Sequence, residues 1–319
     1  MSLPRRGGAD RKTLQALQIN ITQRIFSSLG LAVLAGVSFV TPAQAAINID
    51  YVSVGNPGNS GTLYGAVSYA YNIGKYEVTN SQYCEFLNAK GNSNSNGIYN
   101  PSMASYGIAQ TGSPGSYTYS VTGGLGNRPV VYVSWYDAAR FTNWLGNGQG
   151  GGDMETGAYT LSGNTGIITV NSGATVYLPS ENEWYKAAYY NGGTSTYSQY
   201  PNGQNSITTA DANYSNSVGH STDVGSYSGD PSSYGTFDQG GNVWEWNDRV
   251  YSGTSGLLRG QRGGSWYNLG GPLFSAFGFY SVPSQETFDL GFRVASVPEP
   301  SYVVLSILAS GVLVIHRKR

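Results

Sequence analysis

Three features of the 319-residue chain predict an α+β domain. Helix-start signatures recur three times before residue 190 and cease after it, whereas the later part alternates glycines, arginines and aromatics in the short bursts typical of strands and turns. Charged residues make up only 11 %, while 45 Gly and 26 Tyr are abundant, a composition suited to short elements joined by long polar loops. No segment repeats at a fixed period, which sets solenoids and propellers aside.

From Ile47 to Tyr71 short apolar groups alternate with Gly, Asn and Ser, as strands joined by turns would, and Tyr71 to Val78 continues the alternation. Thr79-Asn80-Ser81-Gln82 has the form of a capping box, and Tyr83, Phe86 and Leu87 give the apolar face of the helix it opens. Residues 91 to 127 carry little pattern and read as a long surface excursion. Arg128 to Val133 reads as a short strand, ended by Ser134, which caps a helix from Trp135 to Leu145 with Ala138, Phe141 and Leu145 inward and Asp137 in its first turn. A second glycine-rich excursion, 146 to 173, contains an expected hairpin around Ile167 to Val170. Ser180 and Glu183 are spaced as a further capping box, with Trp184, Ala187 and Ala188 facing the core until Asn191-Gly192-Gly193 stops the helix. From Leu257 to Val294 strands and loops remain.

The net charge of −1 conceals a division. Nine of the 17 Lys and Arg but 16 of the 18 Asp and Glu lie between the two ends, leaving the body at −7. An acidic body without a basic stripe argues against nucleic acid as a partner. The ends read as addresses. Arg5, Arg6, Arg11, Lys12 and Arg24 precede an apolar run, Ile25 to Val40, and a small-residue site closing at Ala45, so residues 1–45 are expected to be a secretory signal peptide, with a retained anchor as the competing reading. Residues 297–319 combine Pro298-Glu299-Pro300, an apolar segment from Tyr302 to Ile315 and a basic end, Arg317-Lys318-Arg319. That order resembles a PEP-CTERM sorting signal. The resemblance implies transient inner-membrane anchoring, processing by an exosortase and release to the cell surface or extracellular matrix of a Gram-negative bacterium, a simple C-terminal anchor being the alternative. Cys84 is the sole cysteine, so no disulfide can form within the chain. It is expected to be a small buried helix residue.

The densest stretch is Asp238 to Trp246. In Trp244-Glu245-Trp246 an extended backbone sends both indoles to one face and the carboxylate to the other. Gly240-Gly241 permits a tight turn between Asp238 and Glu245, and oxygen ligands on a bent backbone suit a hard cation such as calcium. A turn entering a core strand with two solvated acids accounts for the same spacing.

Five pieces in order, from Gly74-Lys75-Tyr76-Glu77-Val78-Thr79-Asn80 through Val133-Ser134-Trp135-Tyr136-Asp137-Ala138, Leu178 to Trp184 and Gly241 to Trp246, to Arg262-Gly263-Gly264-Ser265-Trp266 with a closing Gly291-Phe292-Arg293, resemble the formylglycine-generating enzyme, or sulfatase-modifying factor, family. The resemblance covers the body, taken as residues 46–296, and implies an α+β fold similar to that of C-type lectins. It also implies one calcium on Asp238, Gly241, Val243 and Glu245, and a second near Asn213, Tyr214, Asn216 and Val218, although the acid expected at Asn216 is missing. In the family's enzymes two cysteines hold copper(I). Those positions here read Asn268 and Leu273, which offer no thiolate, so no copper and no formylglycine generation are expected, and Ser265 alone remains of the oxygen pocket. His220 is the body's single histidine, which excludes a three-histidine iron site within one chain and is expected in an exposed loop. Arg259, Arg262 and Arg293 are expected to form internal ion pairs.

The expectation is therefore a non-catalytic ligand-binding or matrix protein. Its candidate face is Ser265, Trp266, Tyr267 and Asn268 within Trp266 to Phe288, with extracellular polysaccharide or a surface glycan as partner. Phe274, Phe277 and Phe279 belong either to that face or to the core. The alternative is an oxidoreductase or modifying enzyme using a different, unidentified site in the same pocket.

Overall fold

A computed structural model describes residues 46–163, 167–253 and 256–298, all within the unit Gln44–Arg319. The expected signal peptide, 1–45, and the sorting tail beyond Pro298 lie outside the described residues. Among the described residues no helix is long and apolar enough to cross a membrane.

In chain order the elements are β1 (Tyr51–Val54), β2 (Tyr71–Gly74), α1 (Asn80–Lys90), β3 (Ile108–Thr111), β4 (Thr118–Val121), α2 (Trp135–Gly146), β5 (Val176–Tyr177), α3 (Glu181–Tyr189), β6 (Tyr190–Asn191), β7 (Thr196–Tyr197), β8 (Trp244–Gly253), β9 (Gly256–Arg262), β10 (Phe279–Ser281), β11 (Leu290–Phe292) and β12 (Ala295–Ser296). All three helices begin with the capping box expected of them. Thr79, Ser134 and Ser180 each accept from the third residue of their helix, whose side chain returns a bond to the cap amide.

Two four-stranded sheets, in the orders β1-β2-β12-β5 and β10-β9-β8-β11, carry the site. Pairing is antiparallel except between β8 and β11, where Glu245 lies opposite Gly291 in parallel register. The chain steps from β11 to β12, hence from one sheet to the other, through Arg293 and Val294. That step places Arg293 where the sheets meet. The main core joins α1 to α2 by aromatic contacts, with Phe86 edge-on to Phe141 at 5.6 Å and Phe141 edge-on to Phe292 of β11 at 5.4 Å. Trp246 enters the same core and donates to the Val133 carbonyl at 2.9 Å. Trp244 packs partly buried against it, so both indoles do share a face. Cys84 is buried on α1 and His220 is exposed, as expected.

Three expectations fail. Arg128–Val133 is not a strand. Tyr132 has φ +60° and donates its amide to the Thr287 carbonyl, so a tertiary bond turns the backbone where the sequence reads as extended. Residues 91–127 are not a surface excursion, because Ile98, Tyr99, Met103 and Ile108 are core residues and the β3–β4 hairpin folds over α1. Among the described residues Ile167–Val170 take part in no hairpin. Ile168 is buried instead, and its carbonyl accepts from Arg259.

Candidate functional site

Glu245 lies on the face of β8 opposite the paired indoles, but it is not solvated. Its carboxylate is fully buried and grips Arg293 with both oxygens, at 2.6 Å from Nε and 2.7 Å from Nη2, while the Trp184 indole donates to the first of them at 2.7 Å. Arg293 spends its remaining donors on the carbonyls of Gly74, Lys75 and Phe237. Such a bidentate, fully donated guanidinium is the geometry in which a buried pair offsets its desolvation. Gly291, opposite Glu245, has to be glycine, because a Cβ there would lie 2.4 Å from the Val130 carbonyl oxygen.

Two further carboxylates adjoin this pair. Glu77 receives the Asn242 amide on one oxygen at 3.0 Å, and its other oxygen is buried without a partner among the described residues. Burial, and then the neighbouring Asp238 carboxylate, push Glu77 well above the usual carboxylate range. Asp238 sits at φ +61° and accepts from the Gly225 amide at 2.6 Å. Its carboxyl is enclosed enough that burial pushes it up to about 6, against the Gly225 amide and the Arg293 guanidinium. Three carboxylates, Glu77, Asp238 and Glu245, thus share one guanidinium, Arg293, a crowding of acids that a bound cation would relieve. Within Gly241–Val243 the amide of Gly241 donates to Gly263 and that of Asn242 to Asn213, while the carbonyls of Gly241 and Val243 accept from no donor among the described residues. Glu245 keeps one lone-pair direction on Oε1. Among the described residues no three His, Cys, Asp or Glu side chains converge to hold a metal by themselves. A cation here needs the backbone carbonyls, and the chemistry of the donor set, all oxygen, fits calcium.

The second expected set adjoins the first. Asn213 is buried, and its amide nitrogen reaches the His220 carbonyl while its oxygen has no partner among the described residues. The Tyr214 carbonyl accepts from Ser217, Asn216 stands at φ +54°, and Val218 is exposed. A main-chain relay ties these segments together. Asn242 N–H donates to Asn213 O, Trp266 N–H to Asn242 O, Asn216 N–H to Trp266 O and Ser215 N–H to Asn268 O.

The relay ends at the expected ligand face. Ser265 is fully buried, its hydroxyl 2.8 Å from both Asn268 Oδ1 and Asp289, and its amide also donates to Asn268 Oδ1. Trp266, Tyr267 and Phe288 meet edge to face, with Tyr267 exposed and the Trp266 indole N–H buried without a partner among the described residues. Leu273 is fully buried, and its carbonyl accepts from the Tyr189 hydroxyl. Cys84 is on α1, and burial pushes its thiol up to about 11. The other two arginines are ion-paired as expected, Arg259 with Asp248 at 3.0 Å and Arg262 with Glu181. Phe277 and Phe279 are exposed, so they belong to the surface. Sequence reasoning missed Glu77 and Asp289 as members of the site and reached Phe288 only as the end of the candidate segment. Glu77 lies in the alternating run before α1, and Phe288-Asp289 immediately precedes the buried triplet Leu290-Gly291-Phe292, a position from which side chains point at the ends of neighbouring strands.

A family model described as Sulfatase-modifying factor enzyme 1-like domain matches residues 62–297. The chain is 27 % identical over 236 residues to a serine/threonine-protein kinase pkn1 of Chlamydia caviae, a match covering 69 % of this chain and 32 % of the relative. It is 24 % identical to a hercynine oxygenase of Mycolicibacterium smegmatis, covering 71 % and 53 %. The chain thus spans between a third and about half of the length of these curated relatives. Among solved structures it is similar to CarF, with a TM-score of 0.56, 25 % identity and coverage of 79 % of this chain and 99 % of that one. It also shares its fold with Treponema denticola variable protein 1, at a TM-score of 0.52, 24 % identity and coverage of 79 % and 96 %.

Proposed function

The chain belongs to the sulfatase-modifying factor enzyme 1-like family, and from that premise we propose that it is an exported, calcium-stabilised, ligand-binding protein that does not generate formylglycine. The observation that carries this reading is the chemistry at the two positions where copper-using relatives are expected to present thiolates. Asn268 spends its amide oxygen on Ser265, and Leu273 is buried. Neither side chain is a ligand for copper(I).

Asp238 and Glu245, with the carbonyls of Gly241 and Val243, would hold a calcium ion, which supplies a positive charge and a clamp for the turn. The unpartnered Glu77 oxygen, and the crowding of three carboxylates around one guanidinium, support this assignment. A second ion would draw on Asn213, Tyr214, Asn216 and Val218, supported by the unpartnered Asn213 oxygen. The ligand face is Ser265, Trp266, Tyr267 and Asn268 with Phe288. Ser265 is buried and contributes only by holding Asn268, whereas the exposed Tyr267 ring beside the partly exposed Asn268 suits the C–H face and hydroxyls of a sugar, so the ligand is a surface glycan or extracellular polysaccharide. A lectin-like use of the fold agrees with that surface. Residues 1–45 and 297–319 would export the chain and hand it to an exosortase for release to a Gram-negative cell surface, a reading supported by the order of Pro298-Glu299-Pro300, apolar segment and basic end.

Elemental analysis of the natively purified full chain is expected to find calcium and neither copper nor iron. Saturating calcium worth ~2.7 kcal/mol raises the melting temperature by ~5–10 °C in a domain of this size, an increment that chelation should remove. Stoichiometric copper or iron would establish redox chemistry instead, and calcium-free protein with an unaltered melt would eliminate the metal site. Glycan contacts unaffected by Tyr267→Ala and Asn268→Ala together would eliminate the face.

A further inference from the structure

A surface cavity of about 200 Å³ has none of Ser265–Asn268 among its lining residues. Its walls come from Tyr64, β8, β9 and β10. β8 departs from regular register between Trp246 and Val250, and at this irregularity the Arg249 amide bonds to the Asn247 side chain. Strand irregularities of this kind re-aim side chains. Here the Arg249 guanidinium is brought over the Tyr64 ring at 4.7 Å and the Tyr251 ring at 5.0 Å, and Tyr251 stacks on Tyr280 at 4.3 Å with the planes 11° apart. Ring, cation, ring and ring form one layered wall. Phe279, 49 % exposed, lies nearly parallel to Tyr280 and extends it.

The charge within this wall is not neutralised. Glu181, the one acid lining the cavity, gives one oxygen to the buried Arg262 and the other to Asn247, and Arg249 approaches it only to 3.9 Å. Arg262 also donates to the carbonyls of Ser275 and Phe277 and is 1 % exposed at its side chain, whereas Arg249 is 29 % exposed. Two guanidiniums and one carboxylate leave a single positive charge, presented by Arg249, on a body that is otherwise acidic.

We propose that this cavity binds an acidic polysaccharide through its uronate residues, the Arg249 guanidinium receiving the carboxylate while Tyr280 and Phe279 stack on the sugar ring. A uronate pyranose carries both required features, an apolar C–H face and a single carboxylate beside it. One uncompensated charge suits a monoanion better than a phosphate dianion. The close Tyr251–Tyr280 stack leaves no slot for a flat base to intercalate. The cavity is smaller than the ~300–1,000 Å³ of pockets that enclose whole small molecules, and so fits one or two units of a longer chain. The proposal goes beyond the preceding reading because it specifies an anionic ligand at separate residues and requires neither calcium nor the Ser265–Asn268 face.

Calorimetric titration of the full chain with a tetrameric oligogalacturonate, and with its methyl ester as the uncharged counterpart, tests it. The acid should bind ~10-fold or more tightly than the ester, as charge-assisted bidentate bonds imply, and the preference should shrink as salt rises. Arg249→Gln should erase the preference while the melting temperature stays close to that of the parent. Tyr280→Ala, at an exposed position, should weaken acid and ester alike, and it carries the test should the arginine variant fail to fold. Absence of binding to the oligogalacturonate, equal binding of acid and ester, or a preference that survives Arg249→Gln would each overturn the proposal. A ligand lost on Tyr267→Ala instead would leave the Ser265–Asn268 reading standing and refute this one.

Discussion

Arg293 and Glu245 set the cost of error at the centre of the molecule. Both are fully buried, so removing one strands the other in a medium that cannot solvate it. Arg293→Met is expected to lose ~3–5 kcal/mol in urea unfolding, and adding Glu245→Gln should recover part of the loss, since the stranded charge goes with it. Asp137 tests burial in the opposite sense. Its carboxyl is pushed up to about 7 by burial, although Ser134 and Arg140 draw it down, and Asp248 is pushed to about 7 in the same way against Arg259. A carboxyl whose pKa rises on folding holds its proton more tightly in the folded state. The stability it contributes is complete below the ordinary carboxylate range and declines as pH climbs through about 7. Denaturation midpoints should therefore fall between pH 5 and pH 8, and Asp137→Asn should flatten that fall. An undiminished slope in the variant would show that Asp137 ionises as an ordinary surface acid does.

The helices were legible because their signals are local. Thr79, Ser134 and Ser180 each sit three residues before a Gln, Asp or Glu, and that spacing needs no tertiary partner to act. Ser180→Ala should cost ~1 kcal/mol by thermal or chemical unfolding, the usual loss for a removed cap. The loss should stay within α3, because Glu183 is also held by the Tyr177 hydroxyl at 2.9 Å. The turn before β8 is governed by a distant neighbour instead. Gly241 has φ +85°, and a Cβ there would lie 2.2 Å from the Asn213 carbonyl oxygen, a backbone atom that cannot swing away. Gly241→Ala should cost at least ~2 kcal/mol through strain and collision together, and a near-neutral melt would mean that the 213–218 segment is free to withdraw. Arg128–Val133 defeated sequence reasoning for the same kind of reason. Its valines are apolar and β-branched, yet the Thr287 carbonyl fixes Tyr132 in a left-handed conformation.

Across the whole domain, what could be read in advance was whatever lay within a few residues. The Asp238–Glu245 stretch announced itself by density. That Glu77 and Arg293 complete it could not be read, since they stand more than 160 and nearly 50 residues away from it and meet it only because β11 pairs with β8 and the chain then crosses between sheets. Residues 91–127 were misjudged because Ile98, Met103 and Ile108 reach the core at irregular intervals. The relay from Asn213 through Asn242 and Trp266 to Asn216 has a further consequence. It holds the Ser265–Asn268 segment by main-chain groups, which every residue except proline possesses, while Tyr267 and Leu269 project outward at 58 % and 75 % exposure. At those two projecting positions the chain therefore behaves as a line of type whose carriage is fixed and whose letters can be exchanged, so that new recognition specificities are open to selection without renegotiating the fold.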